Sequence, residues 1–461
     1  MTHQRHWIED AVVYHIYPLG LCGAPHNNDF ISPPAPRLKT LYEWLDHIQN
    51  LGANAIYLGP LFESSAHGYD TADYFHLDRR LGDDDTLREL CSTIHQRGMR
   101  LIFDGVFHHV GRHFWAFRNL LEKRQDSPFC TWFHHLDFTK SNSYGDPFWY
   151  EGWNGCEDLI KLNLRNPQVC QHLFAAIKSW VANFDIDGLR LDAADVMDVG
   201  FLTDLASFCR SLKPDFWLMG EMVHGDYRRL ANPSLLDSVT NYECYKGLYS
   251  SLNDRNYFEI AYALNRQSGN DGLYRHLRLY NFADNHDVNR VASTLLNQDH
   301  LYPLYILLFC MPGVPSIYYG SEWGIEGKRT ATSDAALRPA LSLQQVHPTK
   351  HHALPGLISR LAHIRRSSRA LCSGSYTQLF VSHEQLAFSR QHGSETVVIA
   401  LNAANHPAMI DIALPQKANV LYDMLNPGDH FAIVNGKARI ELQQPCWGRI
   451  LQVEQSQRPA S

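Results

Sequence analysis

Three acidic residues, each at the end of an apolar run, are the best placed in this 461-residue chain to do chemistry: Asp192, Glu221 and Asp287. Asp192 closes Gly188-Leu-Arg-Leu-Asp192, where Leu189 and Leu191 alternate with Arg190 and Asp192. On a strand the arginine and the carboxylate then share a face. Such a pair is costly at a strand end unless something neutralises or uses it, and taken alone it reads as a structural ion pair. Glu221 closes Leu218-Met-Gly-Glu221, and Asp287 follows Asn285-His286. Two carboxylates flanking an acetal are the minimum equipment for breaking a glycosidic bond, and at a separation of about 5–5.5 Å one of them attacks and the anomeric configuration is retained. Asp192 suits the nucleophile, kept ionised by the charge of Arg190. Glu221, behind apolar Leu218 and Met219, suits the acid/base, because desolvation favours a protonated carboxyl. Asp287 suits stabilisation of the oxocarbenium-like transition state, with His286 and His109 as hydrogen-bonding partners for sugar hydroxyls.

The elements that must position these residues are strands and helices in alternation. Ala11–Pro18, Ala55–Leu61 and Arg100–Phe107 read as the first three strands. Between the first two lies a helix carrying Leu38, Leu41, Leu45 and Ile48. The next helix carries Leu87, Leu90, Cys91 and Ile94, with Thr86 and Glu89 as its capping box. Asn166 and Pro167 open a further helix leading into Gly188–Asp192. With Phe216–Glu221, Ser238–Glu243, Leu279–Asp284 and Gly313–Tyr319 the strands number eight, which predicts an α/β chain folded as a (β/α)8 TIM barrel. In such a barrel chemistry sits at the C-terminal strand ends, where Asp104, His109, Arg190, Asp192, Glu221 and Asp287 all fall. The long aromatic-rich stretch 108–165 is too long for a loop and reads as a small inserted domain. The barrel then takes 1–107 and 166–370. Short alternating strands within 371–461 read as a C-terminal antiparallel β-sandwich.

These segments together resemble the α-amylase family, the family 13 glycoside hydrolases. Asp104-Gly-Val-Phe-His-His109, Gly188–Asp192, Gly220-Glu221 and Phe282-Ala-Asp-Asn-His-Asp287 look like its first four motifs. Gly313–Gly320 followed by Glu322 is similar to the eighth-strand motif. The resemblance implies that Tyr69, in His67-Gly-Tyr-Asp70, stacks on the sugar at the point of cleavage, with Asp70 beside it in the binding segment. It also implies that Asp334, four residues before Arg338, binds sugar hydroxyls. The same resemblance carries the barrel, the inserted domain and the C-terminal β-domain. Ile160-Lys-Leu-Asn163 is similar to the fifth motif of the neopullulanase and cyclomaltodextrinase group. Members that bind a structural calcium usually have asparagine where this chain has His108, and imidazole is a poor ligand for a hard cation. Asp195-Val196 replaces the Lys-His that many α-amylases carry after the nucleophile motif.

Composition narrows the class further. A net charge of −7 without any basic run argues against a nucleic-acid partner. The start of the chain lacks an apolar leader run, and Leu301–Met311, broken by Pro303, is too short to span a bilayer. The ten cysteines lack CxxC spacing and read as reduced thiols of a cytoplasmic protein. His108-His109, His134-His135 and His351-His352 are adjacent pairs; on a strand such neighbours point apart, so they read as poor chelates and no metal or other cofactor is expected. The expectation is a retaining α-glucoside hydrolase of α-1,4-linked oligosaccharides, with activity on α-1,6 linkages or cyclodextrins as its extension. The alternatives are a transglycosylase or a sucrose- or trehalose-acting enzyme of the same family, and a non-catalytic amylase-like binding protein. Trp132, Phe148, Trp149, Tyr150 and Trp153 are either subsite walls or the core of the inserted segment.

Overall fold

Eight short parallel strands carry the site. They are β1 (Val13–Ile16), β2 (Ala55–Leu58), β3 (Arg100–Gly105), β4 (Gly188–Leu191), β5 (Trp217–Gly220), β6 (Ser238–Val239), β7 (Tyr280–Asn281) and β8 (Val314–Tyr318). The computed structural model describes residues 6–346, 351–414 and 418–455, so most of the N-terminal stretch expected to lack a leader lies outside the described residues. Sheet order runs β7-β8-β1-β2-β3-β4-β5-β6, and a parallel bridge from Thr240 to Tyr280 joins the two ends. The chain thus closes a barrel whose thinnest seam is β6–β7. Both faces of the strands are buried, which explains near-continuous apolar runs in place of alternation. Val13, Ala55, Tyr57, Ile102, Trp217, Met219, Tyr280 and Val314 fill the barrel interior. Tyr14, Ile56, Leu58, Leu101 and Leu189 pack outward against the helices.

The helices follow the 3.6-residue pattern. Leu41–Asn50 buries Leu41, Trp44, Leu45 and Ile48. Pro167–Phe184 is capped by Asn166, whose side chain accepts from the Gln168 N–H at 2.9 Å. The cap proposed at Thr86 falls elsewhere. The helix spans Asp84–Gln96, and Asp83 accepts from the Thr86 N–H at 2.8 Å. Three consecutive aspartates each offer a capping oxygen, and the one with extended backbone takes the role.

Within the long stretch after β3, His109–Gly111, Gly152–Trp153 and Cys156–Lys161 form a separate three-stranded antiparallel sheet. Toward the C-terminus, an antiparallel sheet of eight strands runs from Ser375–Val381 to Trp447–Gln455. It is one continuous sheet rather than two separate ones, wrapped around a core of Val398, Ala400, Ile410, Ile412, Leu421, Ile440 and Leu451. Its strands Ser375–Val381, Ala408–Ala413 and His430–Val434 are absent from the sequence reading. They are half-exposed, and their polar faces hide the apolar ones. Between barrel and sheet lies the helix Leu301–Cys310, buried on every side except at Tyr302. Among the described residues no helix is long and apolar enough to cross a membrane. All ten cysteines are free thiols, most of them buried.

Candidate active site

The C-terminal ends of β3, β4 and β5 lie side by side, and their register sets the first contacts. Asp104 on β3 pairs with Arg190 on β4, so their side chains leave the sheet on one face, as neighbours across a parallel ladder do. Gly188 allows the close approach of β5: a Cβ there would stand 2.6 Å from the Trp217 carbonyl oxygen. The ladder continues one step past the strands. The Asp192 N–H donates to the Gly105 carbonyl at 3.1 Å and the Glu221 N–H to the Leu191 carbonyl at 2.9 Å.

Arg190 is the hub. Its Nη1 donates to Asp104 Oδ1 at 3.0 Å and to Asp192 Oδ1 at 2.8 Å, and its Nη2 stands 2.8 Å from Glu221 Oε2. One guanidinium therefore bridges the two carboxylates expected to flank the scissile bond. Ala193 completes the bridge. Its φ of +49° is unusual for a residue with a side chain, and its N–H donates to Glu221 Oε2 at 3.2 Å. Tyr242 reaches Glu221 Oε1 from the other side at 3.4 Å.

Asp287 enters from beyond β7. Its Oδ2 lies 2.9 Å from His286 Nε2, and Arg338 Nη2 donates to its Oδ1 at 3.2 Å. Arg338 also pairs with Asp334 at 2.8 Å and lies over the Tyr17 ring, 4.7 Å from its centroid. Asn285 Oδ1 accepts from the N–H groups of Asp287 and Val288 at 2.8 and 3.2 Å, which fixes the turn. Tyr69 ties the two halves together. Its hydroxyl donates to Asp104 Oδ2 at 3.0 Å and meets His286 Nε2, and its ring stacks on that imidazole at 5.3 Å.

The electrostatics differ between the carboxylates. Burial pushes Asp192 well above the usual carboxylate range; Arg190 opposes this, while Glu221, Asp104 and Asp287 add to it. This corrects the expectation that Arg190 would hold Asp192 low: desolvation outweighs the guanidinium, which is also shared with Asp104 and Glu221. Asp287 is desolvated as well, yet His286, Arg338 and Arg190 hold it well below the usual range. Burial, with His108 beside it, pushes His109 down to about 3. His109 is thus a neutral imidazole whose buried Nε2 has no hydrogen-bond partner and stands 3.8 Å from Asp192 Oδ2.

These groups open into a cleft of about 920 Å3, lined by Tyr69, His109, Trp153, Asp192, Glu221, Asp287, Asp334 and Arg338, among others. Asp70 lies outside that lining: its carboxylate accepts from the N–H groups of Ala66, His67 and Gly68 at 2.7–3.1 Å and shapes the loop that presents Tyr69. His286 and Arg190 sit behind the lining, in contact with it. Of the five aromatic residues named above in the inserted segment, Trp153 lines the cleft, Trp132, Phe148 and Tyr150 are buried core, and Trp149 is half-buried. Sequence reasoning missed Tyr57, whose hydroxyl donates to Asp104 Oδ2 at 2.7 Å, and Tyr242. Tyr242 falls inside the expected strand Ser238–Glu243 but begins the helix Tyr242–Asn253, and Asn241 ahead of it is the capping signal.

Around His108 the donors do not fit calcium, which takes six to eight oxygens. Burial and the neighbouring charge of Lys161 push His108 down to about 4, and its Nε2 is buried without a partner.

The alpha-amylase catalytic-domain family matches residues 35–350. The chain is similar to a cyclomaltodextrinase of Geobacillus thermopakistaniensis (strain MAS1), 29% identical over 92% of this chain and 74% of that one. It is 27% identical to an intracellular maltogenic amylase of Bacillus subtilis, over 87% of this chain and 69% of the other. Among solved structures, the native debranching enzyme of Nostoc punctiforme aligns with a TM-score of 0.80 at 27% identity, covering 98% of this chain and all of that one.

Proposed function

The chain belongs to the α-amylase family of glycoside hydrolases, and on that premise we propose that it hydrolyses α-1,4 and α-1,6 glucosidic bonds in cyclodextrins and short maltooligosaccharides, with retention of configuration. The observation that carries this reading is the single guanidinium of Arg190 touching both Asp192 and Glu221. It supports a close-set pair of the retaining kind rather than one parted by an activated water. The cleft volume supports a short oligosaccharide, since it falls in the range of small-molecule sites.

In the proposed mechanism, ionised Asp192 attacks the anomeric carbon while Glu221 delivers its proton to the departing glycosidic oxygen. The bond to that oxygen breaks as the Asp192–glucosyl ester forms. Glu221, now a base, takes a proton from water, whose oxygen displaces Asp192 and restores the enzyme. Asp287 stays anionic throughout, held so by His286 and Arg338, and favours the positive charge that develops at the anomeric centre. Tyr69 offers an aromatic face to the sugar being cleaved, and His109 Nε2 and Asp334 accept from its hydroxyls. No metal takes part in this scheme, and the enzyme is read as cytoplasmic.

Incubation with β-cyclodextrin, maltotriose, longer maltodextrins, pullulan and sucrose, with product lengths resolved by chromatography and the first-formed anomer by NMR, tests the reading. Glucose and maltose released as α-anomers from the first four substrates are the expected products. Release of β-anomers, or no release from any α-glucoside, overturns it.

A further inference from the structure

The inserted segment holds a second group of side chains on the wall of the cleft. Its main chain is tied in a closed triangle. The His134 N–H donates to the Lys161 carbonyl at 3.2 Å, the Lys161 N–H to the Glu151 carbonyl at 3.0 Å, and the Glu151 N–H to the His134 carbonyl at 3.2 Å. That frame fixes where His134 and Glu151 begin.

Adjacent residues on a regular strand point to opposite faces, which would make His134-His135 a poor chelate. His135 breaks the rule. Its φ is +51°, in the left-handed region, and this brings its ring round toward the same neighbours as that of His134. The two imidazole centroids lie 5.6 Å apart. One ligand atom each from His134, His135 and Glu151 lie within 4.8 Å of one another, the one group of this kind among the described residues. Glu151 Oε2 stands 2.7 Å from His135 Nδ1, yet it is buried and makes no aligned hydrogen bond. With the ring neutral and its proton on Nε2, an imidazole nitrogen and a carboxylate oxygen face each other here, an arrangement that a cation can bridge.

We propose that His134, His135 and Glu151 form a binding site for a borderline transition-metal dication of the Zn2+ type at the edge of the substrate cleft. Two imidazoles and a carboxylate supply three positions of a tetrahedron and leave the fourth for water. Because Glu151 lines the cleft, that fourth position is within the reach of a molecule bound there. The nitrogen-rich set selects zinc over calcium. Lys161 Nζ, 2.8 Å from Glu151 Oε1, opposes the ion and makes the site exchangeable rather than structural.

The test is calorimetric titration of the full-length, chelator-treated protein with Zn2+ and, separately, with Ca2+. One saturable equivalent of Zn2+ is expected, with calcium giving no saturable heat at the same concentrations. His135→Asn removes the imidazole while asparagine tolerates the left-handed backbone, and it is expected to weaken zinc binding at least tenfold. Glu151→Gln is expected to do the same. Absence of saturable zinc binding overturns the proposal. So does binding that both variants leave unchanged, which would place the ion on other histidines, and so does equal binding of calcium. None of these readouts depends on which sugar the enzyme cleaves.

Discussion

Two of the places where charge is buried in this molecule lie in opposite surplus. At the barrel mouth Asp104, Asp192, Glu221 and Asp287 gather around Arg190 and Arg338. At the junction with the C-terminal sheet Arg365 and Arg390 are both buried, and among the described residues neither forms an ion pair. Their donors go to main-chain oxygens instead. Arg365 Nη1 donates to the Phe309 carbonyl at 2.8 Å, and Arg390 donates to those of Cys310 and Gly374 at 2.7 and 2.8 Å. Phe309 and Cys310 end a helix, where carbonyls lack internal partners and the dipole is negative. Burial pulls both guanidinium groups below their ordinary range, and in Arg390 the charge of Arg365 adds to the effect. The lesson lies in what each compensation permits. Carbonyl dipoles are fixed and hold no proton, so the junction can only be structural. Carboxylates sharing one arginine can exchange a proton among themselves, as general acid–base catalysis requires.

The sharpest way to break this contrast is to neutralise the mouth. Asp192→Asn should lower turnover of maltotriose by about 10^4-fold or more, roughly 5 kcal/mol of barrier, with the circular dichroism spectrum unchanged. Glu221→Gln should cost about 10^2- to 10^4-fold. Most of that loss should return on an aryl glucoside whose leaving group needs no proton, and failure to recover would remove Glu221 from the acid role.

At the junction the effect should fall on stability alone. Arg390→Met leaves the Cys310 and Gly374 carbonyls without their donors and should cost about 2–4 kcal/mol in urea unfolding, while specific activity of the folded enzyme at low temperature stays near that of the parent.

The smallest effect carries the most information about sign. Asp192 has its folded value raised, so whatever stability it contributes is present below the unfolded value near 4 and is lost as pH rises through the folded one. Asp192→Asn should therefore stabilise the protein at neutral pH by about 1 kcal/mol while abolishing activity. Asp287 is depressed, so its contribution is present above that unfolded value and is lost only as pH falls through its lower folded value. Asp287→Asn should lower the melting temperature at neutral pH. Scanning calorimetry of the two variants against pH separates these cases, and a shared sign would refute the assignment.

The mouth was legible in the sequence because strand alternation and the strand-end rule both act locally on Gly188–Asp192, Glu221 and Asp287. What escaped depended on distant partners. Asp70 stands next to Tyr69 in sequence, yet three N–H groups of its own loop claim its carboxylate. Tyr57 reads as one more apolar strand position until the parallel register pairs it with Ile102, two residues before Asp104 on the same face, and its hydroxyl reaches that carboxylate. The Asp192 shift escaped for the same reason, since it comes first from burial by distant elements and then from the carboxylates Asp104, Glu221 and Asp287, none of them local in sequence. The junction arginines carry no motif at all, and their partners are backbone atoms, which no side-chain pattern announces.

The helix Leu301–Cys310 has a consequence for anyone who would treat the C-terminal sheet as a detachable module. Ile306 stands against Gly448 so closely that a Cβ there would come within 3.2 Å of its methyl group, and Tyr302 meets Trp447 at 5.4 Å between ring centroids. A chain cut after the helix Arg369–Ser373 would leave this apolar cylinder facing water and take Arg390 away from the Cys310 carbonyl. Swapping sheets between relatives therefore means carrying the helix, or at least its outer face, along with the sheet. The seam that can be cut lies inside what looks, by fold, like the barrel.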